Sequence, residues 1–294
     1  MAKNGFFHSY FYGKSGKKDF TADDLPATRL QLFKTVLSVR KGSMLGLNLL
    51  YLLFWIPAIF WTFLNFIQLG AEGFSLSSLL YSWLLILFPL SAVTGPFNMG
   101  ASYVMRNWAR DEHSFVWMHF WAGVKANWKQ GLLFGLINGA VPLLAFLCLS
   151  FYSGLTADSM LFYLPLALVL AAALLWYMCA LILPTMLVSY ELRFTDALRN
   201  ALLMILATLP RSFAILIASL AGLLLLAVAF LFFPATLSYL APAVLLFYGI
   251  FGLSFNKLIT ASYANMLCEK YLNTKIDGAK VDIGLQSASE TKLD

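Results

Sequence analysis

Charged side chains are absent from five long stretches of this chain: between Lys41 and Glu72, Glu72 and Arg106, Lys129 and Asp158, Asp158 and Glu191, and Arg211 and Lys257. Water cannot solvate runs this rich in Leu, Phe and Trp, and a helix that crosses a bilayer needs ~20 apolar residues at ~1.5 Å each. Four of the runs suit one crossing apiece. The fifth is roughly twice as long as one crossing and is interrupted by "FPATLSYLAP" (233–242), so it holds two. Composition agrees: 61% of residues are hydrophobic and 12% charged, where a soluble domain is about half apolar and about a quarter charged.

The expected fold is therefore all-α, a polytopic membrane protein with six spans near 44–67, 77–104, 131–152, 162–190, 212–233 and 241–263. The runs are continuous and lack the alternation of a membrane barrel. A polar arm (1–26) is expected to precede the membrane domain (27–272), and a polar, disordered tail (273–294) to follow it. Apolar sequence begins only near Met44, after a charged leader, so no cleavable signal peptide is expected.

All 20 Lys and Arg residues fall on alternate sides of these spans: eight in 1–43, four in 105–130, three in 191–211 and five in 257–294. The intervening loops carry only Glu72 and Asp158. The positive-inside bias then places both termini and the charged loops in the cytoplasm of a bacterial inner membrane. The net charge of +6 lies along an anionic lipid surface. Membrane lipid is thus the expected partner; nucleic acid is not, because the charge is spread along span edges and not gathered into a patch.

Short amphipathic helices are expected on the cytoplasmic side before each odd span. In 115–130, Trp117, Phe120, Trp121, Val124 and Trp128 share one face at helical spacing, as do Leu198, Leu202, Ile205 and Leu209 in 195–211, and more weakly Leu30, Phe33 and Leu37 in 28–41. Trp117, Trp121 and Trp128, with Lys129 and Arg211 at the helix ends, are the expected interfacial anchors. The helix-span-span order occurs three times. The last two units align at an offset of 82 residues, and even spans end in Ser102-Tyr103, Ser189-Tyr190 and Ser262-Tyr263. Three repeated hairpins around a pseudo-threefold axis, or merely similar membrane edges, both account for this.

The densest polar stretch is "MRNWARDEHSFVW" (105–117). Adjacent residues on a helix point about 100° apart and do not converge on a reacting atom. No H-E-x-x-H spacing is present. The stretch is expected to close one span and cap the next helix through Asp111 or Ser114. No span contains Asp, Glu or His, which argues against proton coupling and intramembrane hydrolysis. Lys257 is expected to snorkel to the cytoplasmic surface, and Asn48, Asn65, Asn98, Asn138 and Asn256 to hydrogen-bond between helices. Cys148, Cys179 and Cys268 have no ligand spacing and are expected as free thiols. Neither a catalytic residue, a metal nor a cofactor is expected, and the oligomeric state is left open.

The segment 95–131 resembles the YesL family of bacterial membrane proteins at Gly95, Pro96, Tyr103, Arg106, Arg110, Asp111, Glu112, Phe115, Phe120 and Asn127. Residues 191–212 resemble the family's second inner loop at Phe194, Ala197, Asn200, Ala201 and Pro210. That family has no settled activity, and its members are typically encoded near carbohydrate ABC transporters and sensor kinases. The resemblance implies a non-enzymatic accessory or assembly role beside carbohydrate ABC transporter subunits, with 106–129 and 193–211 as the partner surface. Asp196-Ala197 and Leu209-Pro210 also resemble the ends of a permease coupling helix, without its glycine; a membrane-embedded amphipathic helix is the favoured alternative. A solute carrier or permease subunit, or a membrane sensor, remains the rival function.

Overall fold

The computed structural model describes residues 25–68, 73, 75–156 and 159–286, and every regular element among them is helical. Most of the arm 1–26, together with Glu72, Asp158 and residues 287–294, lies outside the described residues. Ten α-helices run α1 (Arg29–Val39), α2 (Lys41–Leu53), α3 (Ile56–Gln68), α4 (Leu76–Trp108), α5 (Val116–Leu155), α6 (Tyr163–Leu187), α7 (Phe194–Ala207), α8 (Leu209–Phe232), α9 (Leu237–Phe247) and α10 (Leu253–Tyr271). A π turn, Tyr248–Gly252, joins α9 to α10. Five helical runs are long and apolar enough to cross a membrane, or six when the bent pair α2 and α3 counts as one.

That pair replaces the single straight span expected over 44–67, for an identifiable reason. Pro57 has no N–H to offer Leu53, and its ring collides with the carbonyl four residues back. The first helix accordingly stops at Leu53, and the two halves bend by 66°. Phe54, at the bend, stacks on Phe97 with ring centroids 3.5 Å apart and meets Trp121 edge-on.

The 40-residue α5 contains both the expected amphipathic helix 115–130 and the expected third span. Their boundary survives as a kink at Asn127 (φ −122°, ψ 17°), whose amide donates to the Gly123 carbonyl at 3.3 Å. Side-chain bonding to the preceding turn is a common cause of such bends. At ~1.5 Å per residue α5 is about 60 Å long, well beyond a hydrocarbon core of about 30 Å.

Helices α4 and α5 pack backbone to backbone. A Cβ on Gly95 would sit 2.0 Å from the Gly131 carbonyl oxygen, and one on Gly135 2.2 Å from that of Ser91. Gly139 and Gly123 meet Phe88 and Tyr103 in the same way. In lipid there is no hydrophobic drive between helices, so small residues that permit close approach supply the contact. Gly95-Pro96 therefore serves packing within a continuous helix. This tightest pairing joins the second expected span to the third, across the boundary of the expected hairpin units.

The three Ser-Tyr tyrosines also have unlike surroundings. Tyr103 lies under Gly123 and the Arg106 guanidinium, Tyr190 donates to Asn273 Oδ1 at 2.6 Å, and Tyr263 joins Ser212 and Thr208 in a hydroxyl cluster.

The expected stripes are rotated. On α5, Phe120 and Val124 are buried against α4, Trp121 packs on Phe54 and Phe97, and only Trp117 and Trp128 of the five are exposed. On α7 the buried face is Ala197, Ala201, Met204 and Ile205, while Leu202 is exposed, as is Leu209 at the start of α8. On α1, Leu32 and Val36 are buried and Leu30 is exposed. Amphipathic spacing locates an apolar face but does not say whether lipid or protein covers it.

Candidate functional site

One end of the bundle gathers the charges. A turn over residues 109–111 follows α4, and Asp111 adopts φ 57°, a left-handed conformation that Asp tolerates better than most residues. The turn lets side chains converge that a continuous helix would splay. Glu112 meets Arg110 at 3.3 Å and Arg106 at 3.7 Å, and Arg40 from the α1–α2 junction approaches Asp111 at 3.9 Å. Arg40 also lies over the Trp108 ring at 5.7 Å. Arg106 donates to the Val188 carbonyl at 3.1 Å, beyond the end of α6, and its own carbonyl accepts from Asn265 on α10 at 3.3 Å. The cluster is a clasp between α2, α4, α6 and α10.

The helix cap differs from expectation. Neither Asp111 nor Ser114 caps α5. The Phe115 N–H donates to His119 Nδ1 at 3.2 Å, and Ser114 Oγ lies 2.7 Å from the same nitrogen. A histidine one turn into the helix thus turns back to its start, a role the spacing of short polar caps does not disclose.

A second clasp involves the expected tail. Arg29 pairs with Glu269 and with Asp282, the latter at 3.5 Å, and donates to the Ile283 carbonyl at 3.0 Å. The Gln286 N–H donates to the Pro26 carbonyl at 3.2 Å. Residues 273–286 therefore fold back on the charged end and do not form a disordered tail; polar composition alone did not reveal a buried anchor such as Glu269. Beside them Tyr190, held largely away from water, has its phenol pushed up from the ordinary range by burial.

Beside the first clasp lies a groove of about 830 Å³ lined by Tyr103, the kinked stretch 126–130 and residues 187–193. Gln130 Nε2 bridges it to the Leu192 carbonyl at 2.8 Å. Asn127 and Lys129 line its wall together with Arg193. Among the other nominated residues, Gly95, Ala197 and Phe120 are buried in packing, Pro96 and Asn200 are partly buried, and Asp196, Pro210 and Arg211 are exposed. The nominated set is thus divided between a clasp, packed interfaces, a groove wall and an exposed surface on α7 and the start of α8.

Between the helices an open cavity of about 230 Å³ is lined by Tyr51, Asn98, Asn138, Tyr177, Asn256 and Lys257, with Ser219, Thr260 and apolar neighbours. A smaller space of about 180 Å³ shares Trp55, Asn138 and Tyr177 with it. Lys257 does not snorkel to the charged end. Its ammonium donates to Asn98 Oδ1 and, at 3.3 Å, to Ser102 Oγ on α4. Lys257 lies about 20 Å along α10 from Tyr271, and Asn98 about 15 Å along α4 from Trp108, at ~1.5 Å per residue. Both figures put the cavity at span depth.

The five span asparagines all bridge helices: Asn48 to the π turn, Asn65 to Ser82, Asn98 to Lys257, Asn138 to Trp176 and Asn256 to the Ser219 carbonyl. Cys148, Cys179 and Cys268 are free thiols. The signal for the helix seam was present as Gly131-x-x-x-Gly135-x-x-x-Gly139. No comparable sequence signal joins Lys257 to Asn98, which are 159 positions apart.

This is the fold of a helical, multi-pass membrane protein. A family model described as "Protein of unknown function, DUF624" matches residues 44–149. The match runs from α2 almost to the end of α5, less than half of the chain, and includes the bend, the glycine seam and the Arg106–Glu112 clasp. No curated protein and no solved structure matches the chain.

Proposed function

We propose that the protein is a non-enzymatic accessory or assembly component of a bacterial inner-membrane transport system, and that it receives its partner at the charged end. The observation that carries this is the groove beside Asn127, Lys129 and Arg193, where the two segments nominated by the YesL resemblance come together. The charged cluster is engaged in internal pairing: Glu112 pairs with Arg106 and Arg110, and Arg106 fastens α4 to the end of α6. Placement of this end in the cytoplasm rests on the distribution of Lys and Arg. A link to carbohydrate ABC transporter subunits rests on the resemblance alone.

Affinity capture of the full chain from its native membranes tests the proposal. Recovery of permease or ATPase subunits by the wild type, and their loss on Lys129→Glu with Arg193→Glu, is expected. Equal recovery by the doubly substituted chain would remove the groove from the interface.

A second reading, that the chain is itself a solute carrier, draws on a different observation, the polar cavity at span depth. Substrate flux through the purified chain in liposomes would establish it and displace the accessory role.

A further inference from the structure

The cavity around Lys257 presents an electrostatic problem that the protein does not solve with its own residues. The lysine's partners, Asn98 and Ser102, are neutral oxygen acceptors. An ammonium has three N–H donors, so one is left without a protein partner. Among the described residues, no Asp or Glu lies in the cavity wall. Of the helices that line it, only α10 carries an acid, Glu269, about 18 Å further on at ~1.5 Å per residue, and that carboxylate is taken by Arg29. Charged groups at span depth are costly and are normally paired with an opposite charge or a functional ligand.

We propose that this cavity binds a carboxylate, with Lys257 as its counter-charge and the side-chain amide N–H groups of Asn98 and Asn138, whose oxygens are taken by Lys257 and Trp176, as donors to it. One cation matches one negative charge. A phosphate group, with about −1.5 to −2 at neutral pH, would leave excess charge in a low-dielectric interior. A volume of about 230 Å³ accommodates the head of an organic acid, whether a free small solute or the end of a fatty acid whose chain continues into lipid. The site is independent of the docking groove and is tested on the purified chain with no partner present.

The full chain, reconstituted in nanodiscs of zwitterionic phosphatidylcholine, is titrated with propionate, palmitate, propionamide and inorganic phosphate. Thermal unfolding and intrinsic tryptophan fluorescence are followed. Propionate or palmitate is expected to raise the unfolding midpoint and change the fluorescence, with propionamide inert. Response to propionate identifies a small solute, and response to palmitate alone identifies a membrane-phase acid. Lys257→Met is expected to weaken the response by about tenfold or more, equivalent to about 1.4 kcal/mol, and Lys257→Arg to retain it. Should Lys257→Met fail to fold, the contrast between propionate and its uncharged amide on the wild-type chain decides the matter. Equal responses to acid and amide, a response to phosphate as strong as to carboxylate, no response to either acid, or a folded Lys257→Met chain that responds normally would each overturn the proposal.

Discussion

Asn48 donates its side-chain amide to the Gly249 carbonyl at 2.7 Å, joining α2 to a π turn 201 residues later in the chain. The same amide reaches the Tyr248 carbonyl at 3.1 Å, and its Oδ1 accepts from the Ser254 N–H at 3.0 Å. A π turn widens the helix and leaves backbone groups without their usual partners, and here one buried asparagine satisfies three of them. The turn ends five residues before Lys257. Asn48 thus sets the register in which α10 presents Lys257 to Asn98.

Replacing Asn48 by Leu should leave buried carbonyls and an N–H unpaired, at about 1–3 kcal/mol for the first group left unsatisfied. A lowered unfolding midpoint in detergent, together with altered Trp55 fluorescence beside the cavity, is the expected outcome. An unchanged midpoint would show that the π turn is held by other contacts.

Gly135→Ala places a methyl group where 2.2 Å separates it from the Ser91 carbonyl oxygen. Overpacking typically costs ~1–3 kcal/mol, and here backbone must move. Gly154→Ala, where nothing lies within 4 Å, is the matched control. Size-exclusion profiles and thermal melts of the two variants should differ sharply, with Gly154→Ala close to the parent.

Arg29 holds residues 282 and 283 against the end of α10. Arg29→Ala should free that segment while the spans remain folded, so trypsin should cut after Lys280 several times faster. The cleavage rate at this bond, followed by mass spectrometry, is the measurement; an unaltered rate would show that the segment is fastened elsewhere.

Capping of α5 by His119 is expected to contribute about 0.5–2 kcal/mol, the range of ordinary N-caps. His119→Ala should lower the melting point modestly, and Ser114→Ala by less, since the Phe115 N–H bonds to the imidazole. The opposite order would assign the cap to Ser114.

Orientation can be checked by thiol labelling in a background without native cysteines. Cysteines at Ser153 and Ser238 should react with an impermeant reagent added to intact cells. Cysteines at Ser38 and Thr195, all four sites being exposed, should react only after permeabilisation. Reversed labelling would invert the proposed topology.

Local composition determined a good deal here. The spacing of charged residues dictated an all-helical membrane fold, since uncharged runs of this length have no other solvent, and it located most of the helices. The positions of Pro57 and of the Gly131–Gly139 triad likewise carried the bend and the seam, although neither was read from them. Burial was a matter for the tertiary structure: Phe120 and Trp121 share an apolar stripe in isolation, yet Phe120 is buried and Trp121 partly buried because α4 and the bend at Phe54 cover them. Long-range partners were also invisible locally. Asn48 with Gly249, Lys257 with Asn98, and Arg29 with Glu269 each join residues more than 150 positions apart. Polar groups away from water must find partners wherever the fold supplies them, and which partner each one meets is decided only when the helices pack.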